Sequence, residues 1–331
     1  MNYTAPIFFE PNRIKCDYQG GRLLNEIQGI SDNVDTNLAE EWLASTEQIY
    51  ALGHKPGAGL SVVKPQGPAP GLPCTLKKML MCSPANLLGS EYVSQHGPKL
   101  GFKCKLMDIA EMSTDFCENS LVDQEKSAAF FVLATREMRG KLPQIWLREN
   151  SGQREFIFGV PQGKTAKGAR VIAPIAPGET IFVPAGVKYI FQPGIFVLHV
   201  EVDETKSAAQ RRLGKLPAKI SDFELVDILK PRDLIVRRSD EGATLETVGS
   251  ALTRDFGLKR IEVVGRYHLK SATPFCLVFC ASGSGRLRWA SGGCELVAGQ
   301  YFFMPYTVPW VEMLAYNKMC LLVVEPPALE Y

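Results

Sequence analysis

Few side chains in this chain could do metal or nucleophilic chemistry, so their placement is informative. Its four histidines are His54, His96, His199 and His268, and no recognised metal-ligand spacing contains them. His199 and Glu201 lie two apart in the apolar run Phe196 to Val202. On a strand that spacing puts both on one face, where an imidazole and a carboxylate are donors that a metal accepts. The plainer reading is a core or rim histidine beside a solvated acid. Nine cysteines, an odd number with no C-x-x-C pair, argue against a disulfide framework and a zinc knuckle. Cys276 and Cys280, four apart, share a strand face and read as a buried apolar pair.

The elements that must hold these residues are mostly strands. From Ala128 onward the apolar period approaches two, in Phe130 to Ala134, Gln144 to Leu147, Glu155 to Phe158, Ala169 to Ile172, Thr180 to Val183 and Phe196 to Val202. A polar and basic stretch, Asp203 to Lys219, precedes a second series: Arg260 to Val264, Phe275 to Cys280, Gly285 to Trp289, Tyr301 to Met304 and Met319 to Val324. Short strands at this spacing predict barrels or sandwiches. Thr75 to Leu80 and Pro84 to Leu88 read as short helices with Thr75 and Ser83 as N-caps, and the proline- and glycine-rich Lys55 to Pro73 as an irregular excursion.

Two segments repeat one shape: Gly178-Glu179-Thr180-Ile181-Phe182-Val183-Pro184 and Gly299-Gln300-Tyr301-Phe302-Phe303-Met304-Pro305. Each is a glycine turn, an apolar strand and a proline turn. The pattern resembles the cupin barrels, in which a histidine five residues after the proline binds a metal. Those positions here are Tyr189 and Trp310. His268 lies near where the H-x-H of a second cupin would sit, but its neighbours are Tyr267, Leu269 and Lys270, so the second barrel is expected to be metal-free.

Most of the chain resembles the class I, zinc-dependent phosphomannose isomerases, which are double cupins with helical additions. Gly20-Gly21-Arg22-Leu23-Leu24 is similar to the family's G-G-x-x-L, and Ala39-Glu40-Glu41-Trp42-Leu43-Ala44-Ser45 to G-E-S-W-E-I-S. Thr75-Leu76 with Leu87-Leu88-Gly89 resembles T-L…L-L-G, Lys105-Leu106-Met107-Asp108 resembles K-L-L-D, Lys126 to Leu133 resembles K-x-E-x-W-Y-I-L, and Val183-Pro184-Ala185-Gly186 is identical to V-P-A-G. The resemblance implies a mostly β fold: two cupin-type jelly-roll barrels with helical and irregular additions around the first. It divides the chain into an N-terminal cupin with helical additions (1–204), a connecting segment (205–240) and a C-terminal barrel (241–331).

In that family one zinc is held by Gln and His of Q-V-H-P, the Glu of K-x-E and the His after V-P-A-G. Counted without gaps, these positions fall on Phe116, Glu118, Ala128 and Tyr189. Phenylalanine and alanine donate nothing and a neutral tyrosine is rarely a ligand, so no cofactor is expected. The alternative is a displaced zinc on Glu118, His199 and Glu201. The family's P-R-x-L-H arginine also lacks a clean counterpart in Leu216-Pro217-Ala218-Lys219-Ile220, although Arg211 and Arg212 are close. Retained are Lys105 and Lys126, at the family's active-site lysine positions, and Ser45. Together they are residual ligand-binding candidates that would suit a phosphate.

The expectation is therefore a mannose-6-phosphate isomerase-like protein, non-catalytic or diverged, that binds a sugar or sugar phosphate. The alternatives are an active metal-dependent isomerase with displaced ligands and a structural or regulatory protein-interaction cupin. Lys and Arg total 37 against 35 for Asp and Glu, a formal charge of +2 that gives no general field for nucleic acid or anionic lipid. The basic run Arg211, Arg212, Lys215 and Lys219 reads as a solvated linker. Met1 to Lys15 lacks a signal-peptide pattern, and Ile181 to Val200, the most apolar long stretch, is cut by Pro184, Lys188 and Pro193. No membrane association and a cytoplasmic location are expected. Trp289, Tyr301, Phe302, Phe303, Tyr306 and Trp310 either stack on a sugar in the second barrel or fill its interior.

Overall fold

The computed structural model describes residues 3–51, 53–65, 74–112, 126–138, 140, 142–149, 169–171, 175–185, 187–203, 230–233, 235–270 and 272–330. Phe116, Glu118, the strand expected over Glu155 to Phe158 and most of the connecting segment lie outside them.

The chain is mostly β, in antiparallel sheets. One has six strands in the order Thr180–Val183, Ala128–Thr135, Ile195–Val202, Phe102–Ile109, Glu40–Leu43 and Arg13–Ile14. Its inner face packs on a three-stranded sheet of Val187–Phe191, Ile145–Glu149 and Ala169–Val171 through Ile109, Phe130, Val132, Ile145, Phe191 and Val197. A seven-stranded sheet and a four-stranded sheet (Arg266–Lys270, Trp310–Ala315, Ser284–Trp289, Gly292–Val297) form the second barrel the same way. The N-terminal strand Ile7–Phe8 joins the edge of that seven-stranded sheet, opposite Phe302 and Phe303.

Period two explains why these strands are apolar on both faces. In Ile195–Val202, Ile195 and Val197 point into the first barrel, while Phe196, Leu198, Val200 and Val202 point to a third core between the barrels. Cys104, Leu106, Ala129 and Phe131 join them there, facing Leu277, Phe279, Phe303 and Leu322 of the second barrel. Helices Leu76–Cys82, Pro84–Leu88 and Ser90–His96 complete this core with Leu76, Leu80, Leu87, Leu88 and Tyr92. Burying both faces of the large sheets needs two partner layers, and the second barrel supplies one of them.

The helices depart from the sequence reading in detail. Thr75 caps its helix by accepting from the Lys78 N–H at 3.3 Å. Ser83 makes no side-chain cap, because its own N–H still closes the preceding helix on Met79 at 2.9 Å. Ser90–His96 and Arg22–Ile27 are helices that the periodicity did not single out. The second is tied down by Asp108, which is 0% exposed and accepts from the Gly21 and Leu23 N–H groups, both at 2.8 Å. Arg136 closes on the other Asp108 oxygen at 2.6 Å and on Asp35 at 2.9 Å.

The repeat holds down to single hydrogen bonds. Gly178 and Gly299 both have positive φ, 86° and 84°. Each donates to the neighbouring strand, to Val132 at 2.7 Å and to Cys280 at 2.8 Å. The next residue's side-chain oxygen accepts from the N–H three back: Glu179 from Ala176 at 3.0 Å, Gln300 from Val297 at 3.1 Å. Surroundings differ, however. A Cβ at Gly178 would meet nothing within 4 Å, whereas one at Gly299 would lie 2.5 Å from the Ile27 carbonyl oxygen. Gly178→Ala is therefore expected to cost about 1–2 kcal/mol of backbone strain. Gly299→Ala should cost more than about 3 kcal/mol, a difference that paired urea unfolding curves would measure.

Candidate functional site

Three neighbouring strands of the six-stranded sheet bring polar residues to one end of the first barrel. Register sets two rows. Trp42, Lys105, His199 and Phe130 face one another across four strands, and Lys103, Glu201, Ala128 and Val183 form the next row. All continue the inward face that Met107, Ile109, Val197 and Val132 line deeper down. Past Lys105 and His199 the inward positions become charged, and a cleft of about 160 Å³ opens, lined by Trp42, Ser45, Glu47, Lys103, Lys105, His199, Glu201 and Asp203 among others. Its rim turns at Ala44, whose φ of 49° is the one positive value outside glycine among the described residues. That left-handed turn swings the chain so that Ser45 and Glu47 face the cleft, at a cost of order 1 kcal/mol.

At the base of the cleft lies an ion pair whose carboxylate is buried and whose ammonium is half-buried. The Lys105 ammonium is 3.2 and 3.4 Å from the two oxygens of Glu40. Glu40 also accepts from Tyr18 Oη at 2.9 Å and from Trp42 Nε1 at 2.8 Å, which fixes the indole as a wall. Burial pushes the Glu40 carboxyl up, but Lys105 and the Trp42 and Tyr18 hydrogen bonds outweigh it and hold it below the ordinary glutamate value. Burial likewise pulls the Lys105 ammonium down while Glu40 and Glu201 carry it above the ordinary lysine value. Higher in the cleft, Lys103 pairs with Glu47 at 2.6 Å.

His199 is 3% exposed, stacked on Phe130 with ring centroids 4.4 Å apart and planes within 4°. Neither ring nitrogen has a hydrogen-bond partner, and Nε2 lies 3.8 Å from Glu201. Burial, then the neighbouring Lys105 ammonium, takes its pKa well below the ordinary histidine value, so the imidazole is neutral at neutral pH.

The sequence-derived candidates are only partly brought together. Ser45 and Lys105 line the cleft, with Lys105 committed to Glu40 and the Ser45 hydroxyl accepting from the Glu47 N–H at 3.2 Å. Lys126 is half-buried just before strand Ala128–Thr135 and is not among the described residues lining the cleft. Ala128 is 1% exposed in the first-barrel core, where the Tyr189 ring packs edge-on against Phe130 at 4.9 Å. The second-barrel aromatics do not converge on one site: Phe302 and Phe303 fill separate cores, and Tyr306 and Trp310 are exposed. His268 is outward, 3.2 Å from Glu312. Glu40, Glu47, Lys103 and Asp203 are no part of the sequence expectation; the alternations Lys103-x-Lys105 and His199-x-Glu201-x-Asp203 carry a signal for Lys103 and Asp203, and nothing local does for Glu40 and Glu47.

A zinc ion needs three or four convergent N, O or S donors. At two of the four expected positions stand Ala128 and Tyr189, and His199 is walled by Phe130 and an ammonium group. Among the described residues no group of three or more His, Cys, Asp and Glu could hold a metal. Phe116 and Glu118, at the other two expected positions, lie outside the described residues.

The depressed Glu40 value and raised Lys105 value set a pH window. Stability from Glu40 is present above the unfolded glutamate pKa of about 4.3 and lost as pH falls through the lower folded value. Stability from Lys105 is present below the ordinary lysine value and lost as pH rises through the raised folded one. Lys105→Met leaves Glu40 buried without its counter-charge and should cost about 3–5 kcal/mol at neutral pH, a loss that shrinks as pH falls and Glu40 takes up a proton. Adding Glu40→Gln should recover most of that, and urea unfolding across pH would check both.

No protein-family model matches the sequence, and no curated protein matches it by sequence. Solved structures do match. A protein of Archaeoglobus fulgidus assigned as a mannosephosphate isomerase aligns over 99% of this chain and 100% of its own, at TM-score 0.66 and 16% identity. The mannose 6-phosphate isomerase of Bacillus subtilis aligns over 97% and 99%, at 0.63 and 18%. A mannose 6-phosphate isomerase bound with zinc and yttrium aligns over 98% and 100%, at 0.65 and 13%. From end to end, this chain has the double-cupin fold of the phosphomannose isomerases.

Proposed function

We propose that the chain is a double cupin that binds a small sugar-class ligand in the first-barrel cleft and does not carry out metal-dependent isomerisation of mannose 6-phosphate. The observation behind this reading is the pair Ala128 and Tyr189, which puts a methyl group and an aromatic ring where donors are expected, inside the apolar core. Interconverting an aldose and a ketose moves a proton between neighbouring carbons while negative charge develops on oxygen. A metal offsets that charge, and without one several kcal/mol of stabilisation must come from fixed dipoles or cations. In this cleft both lysines are paired to carboxylates, which leaves no free ammonium for that role among the lining residues. The remaining features suit binding: an indole wall, a neutral imidazole and carboxylates that accept from hydroxyl groups.

The isomerase reading with Glu118, His199 and Glu201 as ligands draws on the 3.8 Å approach of His199 to Glu201. No helix of the described residues is long and apolar enough to cross a membrane, and we place the protein in the cytoplasm.

The test couples fructose 6-phosphate formation to a reporter enzyme, with and without zinc, manganese, cobalt and chelator, alongside calorimetric titration with monosaccharides. Turnover at least about 10³-fold below that of a metal-dependent isomerase, unmoved by metal or chelator, with measurable sugar binding, is expected. Turnover that rises with zinc and collapses with chelator would overturn the proposal in favour of the displaced-ligand enzyme.

A further inference from the structure

The charges in the cleft do not match the phosphate that two lysines at its base would suggest. Glu40 neutralises Lys105, and Glu47 takes Lys103 at 2.6 Å. Glu201, on the strand Ile195–Val202, and Asp203, just past its end, remain, and both line the cleft. The lining groups and the pair beneath them thus hold two more carboxylates, Glu40, Glu47, Glu201 and Asp203, than ammonium groups, Lys103 and Lys105. In a partly enclosed site this excess repels a phosphate and favours a cation.

A second observation is independent of the acids. His199 lines the same cleft, is 3% exposed, and has two buried ring nitrogens without a hydrogen-bond partner. An orphaned buried polar group is destabilising until a partner satisfies it. A neutral imidazole offers one donor and one acceptor, the complement of a hydroxyl group. Trp42 adds a fixed indole beside these groups, and an indole face attracts both a sugar ring and a cation. The cleft, about 160 Å³, falls below the roughly 300–1,000 Å³ of pockets for drug-sized ligands, which sets the ligand at a single ring.

From this geometry we infer that the cleft takes a hydroxylated primary amine, the chemical class of the amino sugars, with its ammonium at Glu201 and Asp203 and a hydroxyl group on His199. The inference rests on the cleft being the ligand site proposed above. It replaces the phosphate expected from Lys105 with an ammonium group, because Lys105 is already paired.

The full-length protein would be titrated calorimetrically with D-mannosamine, D-mannose and mannose 6-phosphate at slightly acidic pH, where the amine is protonated. Mannosamine should bind about tenfold more tightly than mannose, as befits a charge-assisted contact, and mannose 6-phosphate most weakly. High salt should erode the amine's advantage. So should the pair E201Q and D203N, after which mannosamine and mannose should bind alike, with the melting temperature confirming that the variant folds. Equal affinity of the parent for mannosamine and mannose, or tighter binding of the phosphate, overturns this inference and leaves the sugar-binding function standing. Absence of binding by all three overturns both.

Discussion

The ion pair of half-buried Lys105 and buried Glu40 is the constraint on which the site depends. Two charges leave water at low cost only if every remaining lone pair and proton finds a partner. Glu40 meets that condition with Lys105, Tyr18 and Trp42 around its two oxygens. The pair marks where the first barrel changes character. On one side the inward positions are Met107, Val197, Val132 and Ile109; on the other they are Lys103, Glu201 and Asp203. By anchoring the Trp42 indole it also shapes the wall of the cleft, and it neutralises the Lys105 charge at the base.

The scaffold around that pair is a consequence of strands that are apolar on both faces. Alternation sends Phe196, Leu198 and Val200 to the core between the barrels and Ile195 and Val197 into the first barrel. Neither barrel can cover its large sheet alone, so the two are joined through a shared apolar layer capped by three short helices. The strand Ile7–Phe8 strengthens the union, pairing with the second barrel's sheet before the chain enters the first. The fold shared with the phosphomannose isomerases leaves the chemistry to the site.

Much of the architecture was legible in the sequence. The two glycine–strand–proline segments announced a repeated unit, and the structure repeats even the side-chain acceptor, Glu179 in one copy and Gln300 in the other. Thr75 announced a helix because a hydroxyl before an apolar run satisfies an N–H that has no partner in the helix. Ser90–His96 escaped because it lies between glycines, with no side-chain cap to announce it. The common face of His199 and Glu201 followed from spacing alone.

By itself, the sequence determined local conformation and the parity of each side chain along its strand, because both depend on neighbours within a few residues. It also determined that Ala128 and Tyr189 supply no ordinary metal ligands, since that is a property of the side chains. What each polar group meets was settled only by the tertiary structure. Lys105 reads as a phosphate-binding lysine until a strand 65 positions earlier in the chain lays Glu40 against it. His199 reads as a core or rim histidine, and only the fold shows Phe130 from a neighbouring strand stacked on its ring with both nitrogens left unpartnered. Electrostatic and hydrogen-bond partners act through space over a few ångströms, and the register of strands distant in sequence decides which groups come that close.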